Sequence, residues 1–64
     1  MINIWKYENK KVKLTDTDGK DHIGYVALVS EAEDTGDPED NLTLYINGEY
    51  YGFLQSEIAE IEEL

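Results

Sequence analysis

The chain has 64 residues, no cysteine, a single histidine and a formal net charge of −10. That length makes one domain near the lower limit for independent folding, and it excludes a second domain, a disulfide framework and any recognisable zinc set. The charge repels phosphate backbones and anionic membranes at long range, and no segment approaches the roughly 18 apolar residues of a membrane span, so a cytoplasmic chain is expected.

In chain order, the first nine residues, MINIWKYEN, are expected to form a brief helix with Ile2, Trp5 and Ile4 resting on the mouth of the fold. In KVKLT, alternation places Val12 and Leu14 on one face and Lys11, Lys13 and Thr15 on the other, the pattern of a half-buried strand. Asp18 and Gly19 separate it from HIGYVALV, and Asn47 and Gly48 separate LTLYI from EYYGFL. Both dipeptides supply the positive φ angles of type I′ hairpin turns, so at least four strands follow. HIGYVALV is apolar nearly throughout and contains Gly24, which predicts a long second strand bent at that glycine. After it, residues 30–41 read SEAEDTGDPEDN and carry six carboxylates. From Asn41 to Ile46 the pattern turns Leu42, Leu44 and Ile46 inward against Thr43 and Tyr45; its partner, Glu49 to Leu54, brings Tyr50, Tyr51 and Phe53. The tail predicts one turn at Gln55 to Glu57 and a short fifth strand from Ile58.

Five short antiparallel strands cannot stay flat at this size, because a single layer leaves its apolar face wet. Curling into a small, strongly bent five-stranded barrel is the expected solution. All five cations, Lys6, Lys10, Lys11, Lys13 and Lys20, fall in the first twenty residues, and all but three of the fifteen acids follow them. If the last strand lies against the first, Glu60 and Glu62 come near Lys11 and Lys13, in pairs contributing only about 0 to 1 kcal/mol each.

In this arrangement the chain resembles a divergent Sm-like (LSM) protein over nearly its whole length, from about Tyr7 to Leu64. NKKVKLTDTDGK is similar to the opening of the Sm1 motif, with Val12 and Leu14 at its alternating positions; Gly24, Val26 and Val29 match its glycine and following apolar positions, and Asn41 and Leu42 its close. Phe53, Ile58 and Ile61 resemble the apolar frame of Sm2. A different small SH3-like barrel is the structural competitor. The resemblance implies a homo-oligomer, plausibly a ring of five to seven copies joined from fourth strand to fifth, with Tyr50, Tyr51, Phe53, Ile58 and Ile61 as interface candidates. It does not bring the family's uridine pocket with it. Ser30 stands where the motif has an aspartate, ten residues separate it from Asn41, and Leu54 and Gln55 occupy the arginine and glycine positions of Sm2. Leucine can neither stack on a base nor donate to one.

The remaining residues offer little chemistry. The acidic stretch matches no EF-hand register, and neither does TDTDGKD, so no metal ligands or cofactor are assigned. His22 has no nucleophile or carboxylate at a motif spacing and reads as an exposed strand residue, leaving no catalytic candidate. Two binding readings stand: a non-catalytic module whose acidic loop and tail dock a basic protein partner, and an RNA-binding protein that uses Lys6, Lys10, Lys11 and Lys13 with Asn41.

Overall fold

The structure is a computed structural model, described here over residues 2–32 and 39–64. It contains five antiparallel strands: β1 (Lys11–Asp16), β2 (Asp21–Ser30), β3 (Asn41–Ile46), β4 (Glu49–Leu54) and β5 (Ile58–Glu63). Single 3-10 turns at Ile4–Tyr7 and Gln55–Glu57 precede β1 and β5. The strands form one sheet in the order β4-β3-β2-β1-β5. No helix among the described residues is long and apolar enough to cross a membrane.

The inward residues follow the sequence pattern. Val12, Leu14, Val26, Leu42 and Leu44 are all at 0% exposure, joined by Val29 and Ile58. With no second layer above them, these side chains can be dry only if the sheet wraps around its own apolar face. The His22 and Phe53 rings show how far it wraps, with centroids 5.0 Å apart. Phe53 sits opposite Leu42, which sits opposite Val29. In a straight strand the seven steps from Val29 back to His22 would cover about 23 Å. β2 therefore turns back on itself, and the β1–β2 hairpin reaches across to β4.

Two local features produce that turn. At Gly24, a Cβ would lie 2.5 Å from the Tyr45 carbonyl oxygen and 2.6 Å from Ile46 Cγ1, so only glycine permits this approach of β2 to β3. Between Val26 and Leu28 the register with β3 shifts by one residue, a bulge that turns both Val26 and Val29 inward and leaves Leu28 outside. The wrapped sheet nevertheless stays open. β4 and β5 are its two outer strands, so the expected closure into a barrel does not occur within one chain: β5 pairs with β1, and β4 pairs only with β3.

The two hairpin turns differ. Asn47 and Gly48 have φ of 49° and 85°, the expected type I′ pair. In the first turn only Gly19 has a positive φ, at 85°, and the connection is four residues, Thr17 to Lys20. Gly19 N–H donates to the Asp16 carbonyl at 3.0 Å, and Asp16 N–H donates to the Lys20 carbonyl at 2.9 Å. The Asp16 side chain explains the longer loop, because it accepts from the N–H groups of Asp18 (2.9 Å) and Lys20 (3.0 Å). Such local carboxylate bonds compete with the tighter turn.

Ile4, at 0% exposure, plugs the mouth from the N-terminal 3-10 turn, whereas Trp5, expected there, is 41% exposed. A four-residue turn presents only one inward position, and Ile4 takes it. Trp5 Nε1–H instead donates to Asp40 Oδ2 at 3.1 Å.

Replacing Gly24 with alanine tests the bend. The added methyl meets backbone that cannot swing aside, so Gly24→Ala is expected to cost about 3 kcal/mol and to lower the thermal midpoint by roughly 10 °C or more, measured by circular dichroism. Unchanged melting would mean that β2 does not make this approach.

Candidate functional site

Four surfaces result from an open, wrapped sheet: two strand edges, a groove beside one of them and an exposed outer face. The edges come first, because their backbone groups are fixed by ladder parity. The two-residue turn makes Ile46 and Glu49 a hydrogen-bonded pair, so Glu49, Tyr51 and Phe53 direct their N–H groups to β3. Tyr50, Gly52 and Leu54 then face away. Leu54 N–H is taken by Glu57 Oε1 at 2.7 Å, which leaves the backbone groups of Tyr50 and Gly52 as the β4 edge. On the other side Leu64 N–H donates to the Lys11 carbonyl at 2.9 Å, and by the same alternation Ile61 and Glu63 turn theirs outward from β5. Each edge is a row of donors and acceptors able to pair with another strand.

A groove of about 500 Å³ runs between the N-terminal 3-10 turn and β5, with Ile2, Tyr7 and Ile61 among its apolar lining and Lys6, Glu60 and Glu62 among its charged groups. Tyr7 Oη–H donates to the Ile61 carbonyl at 3.4 Å. Of the interface candidates, Ile61 and Phe53 are half-buried against the core. Ile58 does not belong among them: at 5% exposure it is part of the chain's own core. Tyr50 and Tyr51 are exposed on β4, with Tyr51 Oη–H donating to Glu49 Oε2 at 2.6 Å. That bond, and the carboxylate charge beside it, push the Tyr51 hydroxyl pKa up.

The candidate lysines do not form one basic face. Lys6 lies on the N-terminal turn with its ammonium 5.1 Å from the Tyr7 ring centre. Lys10 Nζ is 3.3 Å from Glu63 Oε1. Lys13 stands opposite Glu62, and Thr15, not Lys11, stands opposite Glu60. Lys11 stands opposite Tyr25 on the outer face. Asn41 opens β3, between Ser30 and Leu54.

The ends of the acidic stretch are structural. Asp40 binds Trp5 through one oxygen and accepts Ala32 N–H through the other at 3.0 Å. The Glu39 carboxylate receives both the N–H and, at 2.8 Å, the hydroxyl of Ser56. Two of the six carboxylates thus tether the stretch to the 3-10 turns, a role that composition alone does not reveal. Glu33, Asp34 and Asp37 lie outside the described residues, and so does the question of calcium at the loop. Among the described residues, no three of the metal-ligating types cluster around a common point.

His22 corrects the sequence reading most clearly. It faces inward, half-buried against Phe53, and its Nε2 is 2.8 Å from Asp16 Oδ2. The inward position of Gly24 gave the signal, since His22 is two residues away on the same strand and so shares its face. With no nucleophile in contact, the pair ties the two strands of the first hairpin together, a clasp within the hairpin, while the His22 ring against Phe53 and the Thr17 N–H donating to the Glu57 carbonyl at 3.2 Å hold that hairpin to the far side.

Comparison of the chain with protein-family models, with curated proteins and with solved structures gives no match in any of the three.

The clasp carries a pH dependence. The His22 bond foremost, then the Lys20 and Asp18 N–H groups, hold the Asp16 pKa below its ordinary value of 3.8. A depressed carboxyl pKa stabilises the fold above the unfolded value and is lost as the pH falls through the folded one. The difference in thermal midpoint between wild type and Asp16→Asn is therefore expected to be constant above pH 3.8 and to shrink below it. A difference that stays constant through that range would show that the carboxylate is not held in this network.

Proposed function

We propose that this chain is a non-catalytic, Sm-like binding or scaffold module that assembles with copies of itself into a ring of five to seven and docks a protein partner. The observation that carries the reading is the pair of free edges on one open sheet. Joining β4 of one copy to β5 of the next pairs the outward groups of Tyr50 and Gly52 with those of Glu63 and with the Ile61 N–H, the Ile61 carbonyl already accepting the Tyr7 hydroxyl. It also closes, between chains, the curvature that five strands leave open within one. The contact would lie beside the groove at the N-terminal turn, where the incoming β4 aromatics can cover Ile2, Tyr7 and Ile61. A head-to-tail interface of this kind repeats until the rotation closes. It also adds buried area to a core that the short chain keeps small.

The partner-docking part of the reading rests on charge. With twelve acids and no lysine or arginine after Lys20, a ring would present a strongly acidic surface to a basic protein. RNA binding through the N-terminal lysines draws less support, since Lys10 is paired with Glu63 and Lys13 stands against Glu62.

Gly52 gives a clean test of the edges. Nothing lies within 4 Å of a Cβ placed there. Gly52→Ala is expected to leave assembly intact, while Gly52→Pro removes an outward N–H without breaking a bond to β3 and is expected to dissociate the assembly. Sedimentation should then show a multiple of 7.3 kDa for wild type and Gly52→Ala, and the single-chain mass for Gly52→Pro with its β spectrum retained. A wild-type chain that sediments as a monomer at high micromolar concentration would overturn the proposal.

A further inference from the structure

Gly52 stands in the middle of β4 with no reason inside its own chain to be glycine. Its φ is not positive, and a Cβ built on it meets nothing within 4 Å. A glycine inside a strand weakens it, and where no turn or internal contact requires one it marks a place where another group approaches the backbone closely. The same face of β4 carries Tyr50 and Leu54, two residues to either side, with Thr43 opposite on β3. The missing side chain therefore leaves a notch between an aromatic ring and a leucine.

From this notch we infer that each copy receives Tyr7 of its neighbour, the phenol seating against the Gly52 backbone between Tyr50 and Leu54 when β4 of one copy pairs with β5 of the next. The inference rests on the proposed edge pairing and adds to it the residue that the pairing buries. The first argument is parity. Antiparallel alignment that uses both outward positions on each edge sets Gly52 against Ile61 and Tyr50 against Glu63. Residues directly opposite share a face. Ile61 stands opposite Leu14 on β1 and so points to the inner side of its own chain, where Tyr7 packs against the same core. The Gly52 notch of the incoming strand therefore opens toward Tyr7. Tyr51 and Phe53, one residue to either side of Gly52, are turned the other way, toward their own core.

The position of Tyr7 supplies the second argument. Ile61 turns its carbonyl outward, so the Tyr7 hydroxyl that donates to it at 3.4 Å stands at the β5 edge itself. An incoming strand meets that phenol before it reaches the carbonyl, and a side chain at position 52 would compete with the ring for one space. Glycine gives the clearance. The phenolic oxygen then accepts the Gly52 N–H while donating to Ile61, so the outward N–H that lacks a carbonyl finds a partner. Tyr50 and Leu54, on either side, lie along the groove of about 500 Å³ lined by Ile2, Tyr7 and Ile61. A strand of an unrelated protein could occupy the β4 edge as well, but it would not call for a gap at position 52. A second copy does, because it carries the phenol at the matching point of its own free edge.

Sedimentation of substituted chains over a dilution series tests it. Gly52→Phe adds a side chain that suits a strand and meets nothing within the single chain, so the β spectrum is retained while the notch is filled. It is expected to run at the single-chain mass of 7.3 kDa where wild type is assembled. Gly52→Ala still assembles, with dissociation on dilution setting in at a concentration about threefold or more above that of wild type. Removing the phenol makes room again, so Gly52→Phe combined with Tyr7→Ala is expected to recover the assembled mass. If the double variant loses its β spectrum, mixed assemblies of isotope-labelled and unlabelled wild type replace it, with a cross-peak expected from the Tyr7 ring protons of one copy to the Gly52 α-protons of another. Assembly of Gly52→Phe at the same concentrations as wild type would overturn the inference, and the edge pairing would survive if Gly52→Pro still dissociates. Failure of a folded double variant to recover, or absence of the cross-peak, would overturn it too. A monomeric wild type would overturn both readings together.

Discussion

The contact between His22 and Phe53 can exist only if β2 doubles back, and that reversal is what lets a single layer of strands surround its own apolar face. Gly24 makes it sterically possible, the bulge after Val26 keeps both valines inward through the turn, and the bond from Thr17 N–H to the Glu57 carbonyl fastens the far end. A chain this short has no material for a second layer. It must obtain both walls of its core from one sheet, or leave that core wet. Ile4 covers the mouth that remains, and Asp40 and Glu39 tie the neighbouring acidic stretch to both 3-10 turns.

The same economy determines what is left for binding. Five strands suffice to wrap a core but not to join first edge to last, so β4 and β5 keep unpaired backbone. The inward face is spent on packing. The outward face, relieved of that duty, carries Lys11, Tyr25, Tyr45 and Tyr50 in register, the last of them on the β4 edge itself. The charge asymmetry along the chain resolves in part inside the molecule, at Lys10 with Glu63 and Lys13 against Glu62. What remains is acidic, and it repels a polyanion at long range.

Much of this was legible in the residues. Alternation placed Val12, Leu14, Leu42 and Leu44 correctly, Asn47–Gly48 fixed one turn, Gly24 marked the bend, and the tail resolved into one turn and a strand from Ile58, because each rests on a local preference with a short range. The errors came where tertiary contacts outweigh local preference. Asp18–Gly19 resembles a two-residue turn until the Asp16 carboxylate gathers the backbone of the next four residues. His22 reads as exposed until β2 folds it against Phe53. Trp5 has more surface to bury than Ile4, yet the indole finds Asp40 and the isoleucine takes the core. The openness of the sheet could not be read at all, since pattern shows which face is buried and not whether two edges meet.

Nuclear Overhauser contacts in a solution spectrum of the chain give the most direct test of the doubled-back strand. Protons of the His22 and Phe53 rings should show a strong cross-peak, accompanied by one from the Gly24 α-protons to the Ile46 side chain. Their absence from a spectrum that still shows the β1–β2 and β3–β4 ladders would contradict the account, because those hairpins would then form a flat sheet without an enclosed core.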